Sequence, residues 1–298
     1  MTDPDTDAQA SSARSTHAPE SPAASERTTG GLFETATDQD AVARAVAAAA
    51  PVAAERADVA LVGSLEPALR EPVFGLLSTL ADNKYLLGRR YAEWCTGAPM
   101  LESAVAAAAM AQDELGHARS FYPLLRAFPN GRDLSPMEEK GWQQRATSAM
   151  RVLGERFDTW ADFLAVNIVV DTALTTLLES AVDSPYEPLR QRARKIQQEE
   201  AAHWVHGLGW LRRLPPTDLA PALARVWDDA FTWFGQPDDP VVAPLHRAGL
   251  LAADSQALRQ ALGERLAPPL RAAGLLEALA QRPLPWSSWD PAARRLRA

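Results

Sequence analysis

The sequence predicts an all-α protein built on a four-helix bundle, and three observations carry that prediction. Apolar residues recur at three- and four-residue spacing through most of the chain from Pro72 onward, the period of helices that bury one face. No stretch alternates apolar and polar residues, and no Asn-Gly pair joins strand-like runs, so strands are a minor component. Two helical runs, Gln112-Asp113-Glu114-Leu115-Gly116-His117 and Gln198-Glu199-Glu200-Ala201-Ala202-His203, each set a glutamate three residues before a histidine.

The elements follow in order. Residues 1–36 are rich in Ser, Thr, Ala, Pro and Asp, and Phe33 is their only aromatic residue. Such a segment buries too little apolar surface to offset its own ordering, so a disordered tail is expected. Residues 37–71 read as a linker, with a possible alanine-rich helix from Asp38 to about Ala60 that Pro51 interrupts. The bundle is expected over 72–235. Val73, Leu76, Leu77, Leu80, Leu87 and Tyr91 keep helical spacing up to Thr96-Gly97-Ala98-Pro99, where Gly and then Pro end the run. Leu101 to about Ala127 is a second helix, stopped by Pro129-Asn130-Gly131. Ser135, Pro136 and Glu138 form a helix-start signature, which predicts a shorter helix from Ser135 to Phe157.

Trp160 to about Val182 carries so few polar residues that it should be buried on most sides. Ser184-Pro185-Tyr186-Glu187-Pro188 breaks it, Leu189–Leu214 forms the next helix, and Leu219–Phe234 one more. Residues 236–298 read as a helical extension packed on the bundle, in which prolines separate short helices such as Ser255–Leu266.

Composition narrows the function classes. A net charge of −8 and a pI near 5.2 disfavour a nonspecific nucleic-acid binder. Charged or amide side chains interrupt every apolar run before the roughly 20 residues that a membrane span needs, so no membrane association is expected. The N-terminus has neither a basic nor an apolar signal region, and the single cysteine, Cys95, rules out an internal disulfide; both features fit a cytoplasmic protein. Cys95 reads as a small buried apolar residue. The basic run Arg190-Gln191-Arg192-Ala193-Arg194-Lys195 is either a solvated helix face or a patch for a phosphate-bearing substrate.

The chemistry lies in the doubled glutamate-histidine spacing. Residues i and i+3 share a helical face, so each motif offers one oxygen and one nitrogen ligand in the same direction. Two such helices supply half of a di-iron or di-manganese carboxylate site, which also needs one carboxylate from each of the other two helices. Asp171 is the carboxylate at the middle of the apolar Trp160–Val182 helix. Buried there it requires a metal, an arginine or a capping role. From the first helix Asp82 and Glu93 are candidates, and His206 reads as a rim residue.

These residues, in this order, resemble the ferritin-like oxygenase components of bacterial phenylacetyl-CoA epoxidase, in which a catalytic A component and a noncatalytic, structural C component share one helical fold. The likeness covers roughly Pro72 to Leu214. It rests on Thr96-Gly97-Ala98-Pro99, Gln112-Asp113-Glu114-Leu115-Gly116-His117, Val169-Val170-Asp171-Thr172-Ala173 and Glu199-Glu200-Ala201-Ala202-His203, whose separations match the catalytic component. Leu86 to Cys95 and the region from about Val241 to Leu275 look more like the noncatalytic one.

The resemblance implies metal ligands at Glu114, His117, Asp171, Glu200 and His203. The remaining family ligand is a glutamate on the first helix, and counting back from Ala98-Pro99 puts Lys84 at that position. It further implies an oxygenase component that activates O2 at a di-iron site and epoxidises an aryl-acetyl-CoA ring, with Glu114, Asp171, Glu200 and Lys84 at the reacting centre. Other oxygenase subunits and a separate NADPH-dependent flavin and iron–sulfur reductase are the implied partners, because the chain has no Gly-rich dinucleotide loop or cysteine cluster of its own.

Lys84 permits three arrangements. Its ammonium takes the place of a metal and pairs with Glu114 or Glu200; it points away while Asp82 completes the site; or it stands beside a single metal ion. Retention of both histidines and three carboxylates favours some metal binding. The alternatives to a catalytic oxygenase are a noncatalytic structural subunit with a degenerate site and a ferritin-like metal oxidase or storage protein.

Overall fold

A computed structural model of the protein describes residues 58–129, 131 and 148–297. The expected tail over 1–36, the helix expected before Asp58 and the start of the helix expected at Ser135 lie outside these residues. Four long helices form the centre: α1 (Pro67–Glu93), α2 (Leu101–Ala127), α3 (Trp160–Glu179) and α4 (Glu187–Leu211). The fold is an all-α, ferritin-like bundle, and its strands among the described residues are the two-residue pair β1 (Trp289–Asp290) and β2 (Arg295–Leu296).

α1 begins before Pro72, because a proline in the first turn lacks only an N–H that has no helical partner there; Pro67 therefore starts the helix and Pro72 lies within it. α1 and α2 share the most extensive helix contact in the bundle. Gly88 makes the close approach possible: a Cβ there would lie 2.9 Å from Leu115 Cγ and 3.0 Å from Glu114 Cβ.

α3 opens with a capping box in which Thr159 accepts from the Asp162 N–H and the Asp162 carboxylate accepts from the Thr159 N–H. With a mean hydropathy of 1.5 over an 18-residue window, α3 is long and apolar enough by composition to cross a membrane, although Asp162, Asn167 and Asp171 interrupt its apolar run as expected. Residues 161–178 are buried without exception, as the core helix of the bundle. A wider, π-type turn spans Val166–Asp171, in which the backbone hydrogen bonds join residues five apart rather than four.

Helix α5 (Pro216–Thr232) packs along α3, α6 (Val242–Arg247) against α1, and α7 (Ser255–Ala272) against the C-terminal part of α3; α8 (Leu276–Ala280) lies on α5 and α7. The last residues are held by Arg294, whose buried guanidinium pairs with Asp239 and donates to the Trp233 carbonyl.

The expected helix does not extend to Phe157. Residues 148–157 contain only a 3-10 turn, Arg151–Gly154. The backbone there is satisfied by side chains of α1 instead. Asp82 accepts from Ser148 N at 3.0 Å, Asn83 from Met150 N at 2.9 Å, and Arg90 donates to the carbonyls of Leu153 and Gly154 at 2.9 and 3.1 Å. Groups already bonded in this way gain nothing from helical pairing.

Gly88→Ala is expected to force α1 and α2 apart at Glu114 and to destabilise the fold by about 1–3 kcal/mol, the usual cost of overpacking. Chemical denaturation checks this, and an unchanged midpoint would contradict the close approach.

Candidate functional site

Each of the four bundle helices sends at least one ionisable side chain into a common buried cage: Lys84 from α1, Glu114 and His117 from α2, Asp171 from α3, Glu200 and His203 from α4. All six are at most 3% exposed. Glu114, Asp171, Glu200 and His203 each offer one ligand atom within 4.8 Å of the others. Four of the five residues expected as donors thus meet in one place, and His117 stands at their edge, its Nδ1 3.6 Å from Glu114 Oε2 and from Glu200 Oε1.

Lys84 is the residue that sets the electrostatics. Its Nζ lies 2.9 Å from Glu114 Oε1 and 3.1 Å from Asp171 Oδ1, and it also donates to Glu200 Oε1. Asp82 does not enter the cage, being bonded to Ser148 N, and Glu93 pairs with Arg90 at 2.7 Å near the surface. Neither of these two α1 carboxylates therefore completes a ligand set. Burial alone would lower the lysine pKa, but Asp171, Glu114 and Glu200 outweigh it and hold the ammonium well above its ordinary value. Burial would likewise raise the Glu114 carboxyl, yet the Lys84 charge and bonds to His117 and His203 bring it well below the usual range. Glu200 is pushed up to about 7, first by burial and then by Asp171, against the opposing pull of Lys84.

The two motifs brace each other crosswise. His117 Nε2 reaches Glu199 Oε2 at 2.7 Å, and His203 Nε2 lies 3.4 Å from Asp113 Oδ2, so the acid preceding each glutamate contacts the histidine of the opposite helix. Both Nδ1 atoms consequently turn inward, that of His203 to Asp171 Oδ2 at 3.0 Å and that of His117 to 3.6 Å from Glu114 Oε2 and from Glu200 Oε1. Burial would lower the His203 pKa, but its bonds to Asp171, Glu114 and Glu200 raise it well above the ordinary value. Tyr91 donates to Asp171 Oδ2 at 3.1 Å and accepts from Asn167 Nδ2 at 3.4 Å, which ties the wide turn of α3 to α1.

Sequence reasoning missed three of these participants. Tyr91 was visible only as an apolar-periodic position, while Asp113 and Glu199 were visible as the doubled acids Asp113-Glu114 and Glu199-Glu200. His206 sits beside the cage, edge-on to Trp160 and Phe163, and neither of its ring nitrogens has a hydrogen-bond partner. The basic run of α4 divides its work: Arg190 donates to the Ser184 carbonyl, Arg194 to that of Val182, and Arg192 to that of Ser120. Arg192 and Lys195 also line a cavity of about 410 Å³ that reaches His117. Cys95 is half-buried, with its thiol raised by burial.

The donors do not fit a two-metal centre. From α1, where the resemblance implies the sixth ligand, comes an ammonium that already bonds one oxygen of each interior carboxylate. Two divalent cations would add four positive charges to that ammonium, against three carboxylates, in a site whose side chains are buried from bulk solvent. As it stands, the cage neutralises buried carboxylates with a lysine and with imidazolium protons.

Two comparisons bear on this arrangement. The sequence profile of the family described as phenylacetic acid catabolic protein matches residues 64–283. The C component of the 1,2-phenylacetyl-CoA epoxidase of Escherichia coli (strain K12) is 27% identical over 188 residues, which are 61% of this chain and 74% of that relative.

Removal of the Lys84 charge by Lys84→Met should leave three buried carboxylates without their shared partner and cost about 3–5 kcal/mol, measured by urea unfolding at neutral pH. A cost below about 1 kcal/mol, typical of an exposed pair, would show that the cage is not held by the ammonium. The pH dependence has a separate source. Burial, and then the charge of His203, lower the His206 pKa to about 4. Between its unfolded value of about 6.5 and this one the folded chain binds fewer protons than the unfolded chain, so stability falls as pH falls. His206→Phe should therefore lose less melting temperature than the wild type between those two pH values.

Proposed function

The chain belongs to the phenylacetic acid catabolic protein family, and from that membership we propose that it is a noncatalytic, structural subunit of a phenylacetyl-CoA-epoxidase-type oxygenase complex. The single observation that carries this reading is Lys84: its ammonium contacts Glu114, Asp171 and Glu200 in the position where a catalytic relative needs a metal-binding carboxylate. The family and the likeness to an epoxidase component place the chain among proteins of phenylacetate catabolism. The cage then has a structural task, joining all four helices through charge-assisted hydrogen bonds in a dry interior.

The complex implied by this reading contains a catalytic partner of the same fold, which holds the iron and receives the acyl-CoA and O2, and a reductase that delivers electrons. The present chain supports the assembly without exchanging electrons itself. A catalytic reading keeps one argument, the survival of five of six donors with both Nδ1 atoms turned inward. The sequence favours that reading through the retained histidines, and the position of Lys84 weighs against it.

The test is reconstitution. Full-length chain expressed with added iron should show no product from phenylacetyl-CoA, O2 and a suitable reductase when assayed alone. It should increase the yield of product, or of soluble complex, when combined with a catalytic member of the family. Turnover by the chain alone that is abolished by His203→Ala would reverse the assignment.

A further inference from the structure

We propose that the cavity enclosed by the end of α4, the start of α5 and the end of α7 is a binding site for an aliphatic monocarboxylate. Its chain would lie on leucine, proline and alanine side chains and its carboxylate would pair with Arg212. None of the lining residues belongs to the cage, so this inference goes beyond the noncatalytic assignment and does not depend on it.

The sequence builds the recess from two helical faces. Leu208, Leu211 and Arg212 at the end of α4, and Pro269, Ala272 and Ala273 at the end of α7, each keep the three- and four-residue spacing that puts side chains on one side of a helix. α4 stops at Leu211 because Pro215 and Pro216 bring no backbone N–H to continue it, and Pro216 instead opens α5. Leu214, in the turn between them, and Pro216 complete the lining around a volume of about 410 Å³. Leu211 is buried, and Leu208, Leu214 and Ala273 are half-buried against the core.

The lining decides what can bind. Leucine, proline and alanine side chains carry no polar atom, and Pro216 and Pro269 lack even the backbone N–H, so Arg212 has the one polar side chain among the lining residues. Water in such a recess finds few partners, and an apolar chain gains by replacing it. No aromatic ring lines the cavity, which leaves nothing to stack on a planar ligand. Arg212 in turn lacks a partner. Arg190, Arg192 and Arg194 of α4 each donate to a backbone carbonyl and Arg213 lies over the Trp210 ring, whereas the Arg212 guanidinium has neither an ion pair nor a hydrogen bond among the described residues. No acid lines the cavity to answer it. A guanidinium beside an apolar recess matches a carboxylate, whose two oxygens it can bond in parallel. The volume is near the small end of the roughly 300–1,000 Å³ of ligand sites, which suits a short chain of about eight carbons.

The experiment is calorimetric titration of the full-length chain with octanoate, kept below its micelle concentration, and with octylamine, octanol and phenylacetate as comparators. Octanoate should bind once per chain with a Kd on the order of 0.1 mM. Octylamine, with the same chain and the opposite charge, should bind at least about tenfold more weakly, and phenylacetate, with a ring in place of the chain, should also bind more weakly. Arg212→Gln should weaken octanoate about tenfold and leave octanol unchanged. Ala272→Trp, which fills the cavity, should weaken both. Each substitution is at an exposed position, so circular dichroism and melting should match the wild type.

The proposal is overturned if octanoate shows no binding below about 5 mM, the result expected if a protein segment covers the recess instead. It is equally overturned if octylamine or phenylacetate binds as tightly as octanoate, or if Arg212→Gln or Ala272→Trp leaves the octanoate affinity unchanged. The noncatalytic assignment fails separately, on turnover by the unmodified chain, an outcome that does not bear on these titrations.

Discussion

One buried positive charge organises this protein. Three carboxylates from three helices converge where water does not reach, and each would be costly to ionise there alone. Lys84 Nζ, carried by the fourth helix, contacts all three. Much of the fold follows from bringing that group to that point: the tight α1–α2 contact at Gly88 places Glu114, and the wide turn in α3 brings Asn167 and Asp171 to Tyr91. Remove the ammonium and the same apolar packing surrounds an unbalanced cluster of negative charge.

Hydrophobic periodicity carried most of the architecture. The second helix was legible to the residue, Leu101 to about Ala127, because its stop is a Pro-Asn-Gly sequence and its start follows a Gly-Ala-Pro break. The buried character of α3 was equally plain, since almost nothing polar interrupts it. Residues 148–157 were misread as helix for a physical reason: their backbone partners are Asp82, Asn83 and Arg90 on α1, more than sixty positions away in sequence, and local pattern carries no trace of such bonds.

The site was half legible. Spacing of three within a helix placed Glu114 with His117 and Glu200 with His203, and isolation in an apolar run marked Asp171. Lys84 could be located by counting, but spacing says which face a residue occupies and not what a long flexible side chain reaches. Only the facing helices decide whether its nitrogen turns into the cage or away from it. Tyr91 escaped notice because an aromatic at a periodic position is ordinarily core, and its hydroxyl finds Asp171 only in three dimensions.

The crosswise bracing of the histidines has a consequence for how this sequence can change. Asp113 and Glu114 are neighbours on one helix, yet Asp113 contacts the imidazole of the other motif while Glu114 serves the shared interior, and the same division holds for Glu199 and Glu200. The unit that tolerates or resists substitution is therefore a diagonal pair spanning α2 and α4 rather than either motif. Losing Glu199 frees the ring of His117, and losing Asp113 frees that of His203, so the effects of changes on separate helices will not add. Each helix thus carries half of the other's constraint, and the two motifs must drift together or be retained together.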